Sequence, residues 1–263
     1  MLTPKISYII SAYNCERFLS GLLDDLLNKQ SLRDIQVVVV DSKSTDKTLS
    51  IAREWASRDN RIWIEEQDAR TPYGVSWLLG WYSAEGKIVA NSNADDRSYP
   101  WRGNVIVDAS KISAPNVGWY YGGYRTVVDG VPTAEGCPPD FSVDDFSQFF
   151  RAGVHIHWKN EIADIVDWKK MLDAAYIYRS AFDYWLTLYF MSLGINGQAI
   201  KRVLSIYNQR KDSVEQSDKE RNTFESLSAI EEFFPNSPAI KNLYSNPNKE
   251  FVARYMEFKK CLI

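Results

Sequence analysis

Residues 87–96 read KIVANSNADD and hold the side chains best suited to chemistry. Ile88, Val89 and Ala90 predict a short buried strand, and the polar run from Asn91 to Asp96 follows at its C-terminal end. In open α/β sheets, ligands bind beyond the carboxyl ends of the strands. Adjacent carboxylates such as Asp95 and Asp96 repel each other unless a cation lies beside them. A hard divalent ion that keeps some of its waters and bridges to a substrate phosphate meets that need. Taken alone, the run also fits a solvated turn, because Asn and Asp are turn residues. His155 and His157 are the only histidines in the chain. At strand spacing they share a face, as an extra metal ligand, a diphosphate contact or simply a packed pair.

The elements that must position these residues are read from hydrophobic spacing. Residues 6–12 (ISYIISA) are a β-rich run ending in the turn signal Tyr13-Asn14. Over residues 15–29, Phe18, Leu19, Leu22, Leu23, Leu26 and Leu27 recur at helical steps. Residues 35–40 (IQVVVV) are nearly continuous apolar, as in a parallel strand covered on both faces, and end at Asp41. Ser44-Thr45-Asp46 caps a helix to about residue 57. A third short strand over 62–65, a polar loop over 67–73 and a helix over 74–84 follow, and the strand from Lys87 comes next. Three strand–helix repeats and a fourth strand predict a doubly wound, mostly parallel sheet with right-handed crossovers. Tyr13-Asn14, Asp41 and the polar run 93–96 would then share one sheet edge.

Beyond Asp96 the reading is a turn at 98–101, a helix over 105–112, and strand material over 117–128 broken at Gly122-Gly123. Residues 130–139 hold three Pro and two Gly and read as a loop. An extended stretch over 149–158, an apolar helix over 176–193, a strand over 195–207 and a polar loop over 208–217 complete this part. The remainder, from Lys219 on, reads as two helices split near 235–238 and 246–248. The expected organisation is one domain over 1–217, in two halves (1–97 and 98–217), and then a C-terminal helical extension (218–263).

A net charge of −3 and scattered Lys and Arg argue against nucleic acid as the main partner. Cys15, Cys137 and Cys261 lie far apart without CxxC spacing, which fits a reducing compartment better than a disulfide framework or zinc site. No secretory leader is read ahead of the first strand. No apolar run approaches the ~20 residues that span a bilayer. The expectation is a cytoplasmic protein, at most peripheral to the inner face of a membrane.

Five stretches, in order, resemble inverting glycosyltransferases of family 2, which have the GT-A fold. The family's IIPTYN stands here as Ile9-Ile10-Ser11-Ala12-Tyr13-Asn14, and its VVDDGSTDGT as Val39-Val40-Asp41-Ser42-Lys43-Ser44-Thr45-Asp46-Lys47-Thr48. Its Glu-x-Asp matches Glu66-Gln67-Asp68, and its DxD stretch matches Asn93-Ala94-Asp95-Asp96. A later Asp-Tyr with alternating Leu matches Asp183-Tyr184-Trp185-Leu186-Thr187-Leu188. Ser42 and Lys43 replace an Asp and a Gly, Asn93 replaces an acidic residue, and Arg70-Thr71-Pro72-Tyr73 replaces a glycine-rich loop.

The resemblance implies transfer of a sugar, with inversion, from a UDP- or dTDP-sugar to a glycan or lipid-linked acceptor. Polysaccharide biosynthesis is the implied setting, Mn²⁺ or Mg²⁺ the implied cofactor, 1–97 the implied nucleotide-binding half and 98–217 the implied acceptor-binding half. It places Ser11, Ala12, Tyr13, Asp41, Asp68 and Asn93 at the nucleotide, with Tyr13 stacking on the base and Asp41 accepting from its ring N–H. Asp95 becomes the metal ligand, and Asp96, His155 and His157 further metal or substrate contacts. Asp183 becomes the general base, a role worth ~10²–10⁴-fold in rate. Trp101, just past the acidic pair, is the best-placed tryptophan to touch a substrate. A nucleotidyltransferase would call for a glycine-rich basic loop after the first strand, which residues 11–16 lack. The rival from another class is a catalytically silent binding module on the same fold.

Overall fold

The computed structural model describes residues 3–138, 155–209 and 219–262. Four strands, β1 (Ile6–Ala12), β2 (Ile35–Asp41), β3 (Ile62–Glu66) and β4 (Ile88–Asn93), pair in parallel in the order β3-β2-β1-β4. Between them run α1 (Leu19–Asp24, continued by a π-helical turn Asp25–Lys29), α2 (Thr48–Ala56) and α3 (Tyr73–Tyr82). The alternation of side chains across β1 and β2 builds two cores. Ile9, Val38 and Val40 join a cluster with Trp77, Trp81 and Phe182, whereas Tyr8, Ile10, Val37 and Val39 pack with Leu22, Leu23 and Leu26. Both faces are covered, which is why these strands read as continuous apolar runs.

Past the short β5 (Arg97–Ser98) and α4 (Arg102–Ile112), the sheet becomes mixed. β8 (Ile156–Lys159) runs antiparallel to both β4 and β6 (Val117–Val128), and β9 (Asn196–Gln209) runs parallel to β6 and antiparallel to β5. β6 is one strand; Gly122 and Gly123 carry shifts in its register with β9 rather than a break. Residues 131–136, expected as loop, form β7 (Val131–Gly136), fully exposed and paired with β6. The turn between them is Asp129-Gly130, both at positive φ (50° and 82°), as two-residue hairpins with the twist of their strands require. Pro132 is tolerated because β7 is an edge strand.

The expected helix over 176–193 is two helices, α5 (Trp168–Ile177) and α6 (Phe182–Ser192). Three helices close the chain rather than two: α7 (Lys219–Phe233), α8 (Pro238–Tyr244) and α9 (Lys249–Lys260). Phe224, Leu227, Ile230 and Tyr255 from these helices belong to the same cluster as Trp185 and Phe190 of α6. The extended reading of 149–154, most of the loop reading over 208–217 and the division at 217 lie outside the described residues. Among the described residues, no helix is long and apolar enough to cross a membrane.

Candidate active site

The parallel register brings the four strand ends to one edge. Ala12 lies opposite Asp41, Asp41 opposite Glu66, and Ser11 opposite Asn93. Ser11 and Asn93 are half-buried and Ala12 is buried, whereas Tyr13 leaves the edge with 39% of its surface exposed. The guanidinium of Arg70 lies over the Tyr13 ring, 3.5 Å from its centroid. Asp41 is buried: its Oδ2 accepts from the Ser44 N–H at 2.9 Å, while its Oδ1 is buried with no hydrogen-bond partner. A buried acceptor oxygen in that state costs free energy until a donor reaches it.

The loop after β3 is tied back to this edge. Gln67 donates its N–H to the Asp41 carbonyl, and its side-chain oxygen accepts from Thr71 Oγ1 (2.8 Å) and Ser76 Oγ (3.0 Å). The Thr71 N–H donates to Ser42 Oγ at 2.9 Å, so Ser42, where the family has Asp, fastens this loop. Asp68 is exposed on it. Lys43, where the family has Gly, sits in the left-handed region at φ 56°.

The acidic pair divides. Asp96 is buried: Oδ1 accepts from the Asn208 N–H (2.8 Å), Oδ2 accepts from Asn93 Nδ2 (3.0 Å), and His155 Nε2 lies 3.1 Å from Oδ2. Asn208 also donates its side-chain amide to the Asp95 carbonyl at 2.6 Å, clamping the turn to the end of β9. Asp95 is half-buried. His155 and His157 share a face, as their spacing predicts, but that face is interior, toward the buried Arg102 of α4. Burial lowers the pKa of both, and contact with Asp96 only partly offsets this for His155. Both are enclosed rather than at the surface of the acidic turn, and His155 meets that turn at Asp96. Among the described residues, no three His, Cys, Asp or Glu side chains converge to hold a metal by themselves. A hard cation at this turn would need oxygen donors from beyond these side chains, such as those of a diphosphate.

Asp183 occupies the first turn of α6. Its Oδ1 accepts from Tyr73 Oη (3.2 Å) and from the Tyr184 N–H (2.9 Å), and its own N–H donates to Tyr73 Oη (3.3 Å). The two helix starts meet closely because residue 74 is Gly: a Cβ there would stand 2.5 Å from the Phe182 ring. Behind the turn, the fully buried Glu225 of α7 accepts from the N–H groups of Ser180 (2.7 Å) and Ala181 (3.1 Å) and from Ser180 Oγ (2.9 Å). Trp101 is engaged by protein: it stacks on Tyr99, donates to the Val203 carbonyl and lies under Arg202. Arg70, Tyr73, Asn208 and Glu225 were missed from sequence. Their partners lie tens of residues away, and no local spacing announces such pairs.

The sequence profile described as glycosyl transferase family 2 matches residues 7–110, which contain β1 to β4 and the acidic turn. Over that stretch the chain is similar to family 2 glycosyl transferases. EpsE of Bacillus subtilis is 33% identical over 100 residues, 38% of this chain and 36% of EpsE, so this chain spans about a third of that relative. Among solved structures, the mannosyltransferase PcManGT of Pyrobaculum calidifontis, in complex with GDP-Man and Mn²⁺, superposes with a TM-score of 0.64 at 18% identity. The match covers 98% of this chain and 74% of that one. S. aureus TarS 1-349 in complex with UDP gives 0.60 at 17% identity over 96% of this chain and 70% of TarS. These likenesses extend the GT-A fold beyond the family 2 match to the mixed half of the sheet.

Proposed function

We propose that the chain transfers a sugar, with inversion at C1, from a UDP- or dTDP-sugar to an acceptor hydroxyl of a glycan or lipid-linked saccharide. The observation that carries this reading is Asp41 Oδ1, buried and unpartnered at the strand edge beside the exposed Tyr13. A uracil or thymine ring stacked on Tyr13 offers the N–H that this oxygen lacks. Solved neighbours that bind UDP or GDP-Man support a nucleotide-sugar donor in general. The preference for a pyrimidine rests on Asp41.

In the proposed reaction Asp183 takes the acceptor O–H proton while that oxygen attacks C1. The C1–O bond to the diphosphate breaks, and its electron pair leaves on the nucleoside diphosphate. Mn²⁺ or Mg²⁺ held by Asp95 and the diphosphate would neutralise the leaving charge. Asn93, half-buried on the same edge, would reach the ribose, and Asp68 lies on the adjoining loop. Asp96, His155 and His157 would act from behind by fixing the acidic turn. No transmembrane helix is needed for such a reaction at the inner face of a membrane, where a lipid-linked acceptor would be met.

The test is release of UDP or dTDP from a panel of UDP- and dTDP-hexoses with water as acceptor, alongside calorimetry of UDP with and without Mn²⁺. Asp95→Ala should remove the Mn²⁺ dependence of UDP binding. Asp183→Asn should bind UDP and Mn²⁺ like the wild type but turn over at least ~10²-fold more slowly. Metal-independent UDP binding by the wild type, or full turnover by Asp183→Asn, would overturn the corresponding assignment.

A further inference from the structure

We infer that Tyr73 is a positioning residue for the reaction, orienting Asp183 through its hydroxyl; this rests on Asp183 being the base. The two residues are 110 positions apart, yet Tyr73 Oη both donates to Asp183 Oδ1 (3.2 Å) and accepts from the Asp183 N–H (3.3 Å). One hydroxyl thus holds both the carboxylate and the backbone that carries it. Oδ1 also accepts from the Tyr184 N–H at 2.9 Å, so its direction is fixed by two donors.

The hydroxyl is itself held in place. The Tyr73 ring packs edge-on against Trp77, with centroids 5.1 Å apart, one turn further along α3. Gly74 lets the start of α3 press on Phe182, the residue before Asp183. Burial and the Asp183 carboxylate push the Tyr73 pKa well above its ordinary value, so it remains a donor at any working pH. It therefore takes no proton from the acceptor and acts only through Asp183. Tyr73 also ends the segment that Thr71 and Gln67 tie to Ser42 and Asp41. The same short segment reaches the base-recognition edge at one end and the proposed base at the other. An unaimed carboxylate loses rate because proton transfer needs a set geometry.

Tyr73→Phe keeps the ring against Trp77 and removes only the hydroxyl. UDP release from the best UDP-hexose of the panel, with water as acceptor, is compared for wild type, Tyr73→Phe, Asp183→Asn and the double variant, alongside UDP calorimetry. The expected result is a kcat about tenfold lower for Tyr73→Phe, the worth of one hydrogen bond to a charged group, with UDP affinity and donor KM unchanged. In the Asp183→Asn background, the same substitution should change kcat less than about twofold, because residues acting through one another are not additive. A wild-type kcat for Tyr73→Phe would overturn the inference, as would the same tenfold loss in both backgrounds. Full activity of the Asp183→Asn single variant would instead refute the base assignment, and the inference with it.

Discussion

At the scale of single residues, the edge combines unusual burial with unusual backbone. Asp41 is a carboxylate whose second oxygen has no protein donor, so its Ala variant should lose affinity for UDP but little for GDP. The expected loss is about 1–3 kcal/mol, the cost of leaving the ring N–H unsatisfied. Calorimetry of both nucleotides on wild type and Asp41→Ala measures it, and tight GDP binding by the wild type would contradict pyrimidine recognition. Lys43 occupies φ 56° where the family has Gly. A side chain in the left-handed region costs about 1–2 kcal/mol, whereas a glycine adds about 0.5–1 kcal/mol of chain entropy. Lys43→Gly should therefore stabilise the fold by roughly 0.5–1 kcal/mol in urea unfolding, and a destabilised variant would show that the Lys side chain contributes there. The sequence made Asp41, Tyr13 and Asn93 legible because each follows a strongly apolar strand. It could not reveal that Asp96 turns inward: Asn208 and His155, which hold it, lie far along the chain, the one in a stretch that reads as loop and the other in one that reads as extended.

At the scale of elements, the break between α5 and α6 is a tertiary event. Residues 176–193 are apolar enough for one helix, but the turn that interrupts them gives the N–H groups of Ser180 and Ala181 to Glu225 of α7. Glu225 is fully buried and paired with Arg221 at 2.7 Å. No window of sequence around residue 180 contains that acceptor, so the break was not legible. By contrast β1 to β4, α2 and α3 were read nearly to their ends, since hydrophobic period and local turns fix them. The Asp129-Gly130 hairpin signal was present, but the prolines that follow masked it. Glu225→Ala removes the acceptor of the Ser180 and Ala181 N–H groups and one ion-pair partner of Arg221, and should cost about 2–4 kcal/mol. Glu225→Gln keeps an acceptor and should cost less. Urea unfolding at pH 7.5 compares them, and a loss below about 0.5 kcal/mol for Glu225→Ala would mean that the turn finds other acceptors.

At the scale of the whole molecule, the two cores are joined through a sheet whose middle holds charge. Arg102 is fully buried, its guanidinium donating to the Asn91 carbonyl and Ser92 Oγ, and His155 and His157 lie beside it. Burial lowers the pKa of both histidines, and the Arg102 charge acts in the same direction. In the unfolded chain each takes up a proton near pH 6.5. Below that value the unfolded state binds more protons than the folded one, so stability falls as pH falls. Their contribution is complete above about pH 6.5 and is lost as the pH descends toward the depressed folded values. Asp25 is held below the usual carboxylate range by Arg97, Lys29 and the Ser98 N–H, which together outweigh its burial. Its contribution is present above about pH 4 and is lost only below it, so the two windows separate. Urea midpoints at pH 7.5, 6.5 and 5.5 should therefore decline for the wild type, well before carboxylates titrate. His157→Gln removes one of the two titrating groups from the interior without adding charge. Its starting stability will differ, so the quantity to compare is the slope with pH, which should be shallower than that of the wild type. Parallel slopes for the two proteins would show that His157 takes its proton as readily folded as unfolded, and the source of any acid sensitivity would have to be sought at His155.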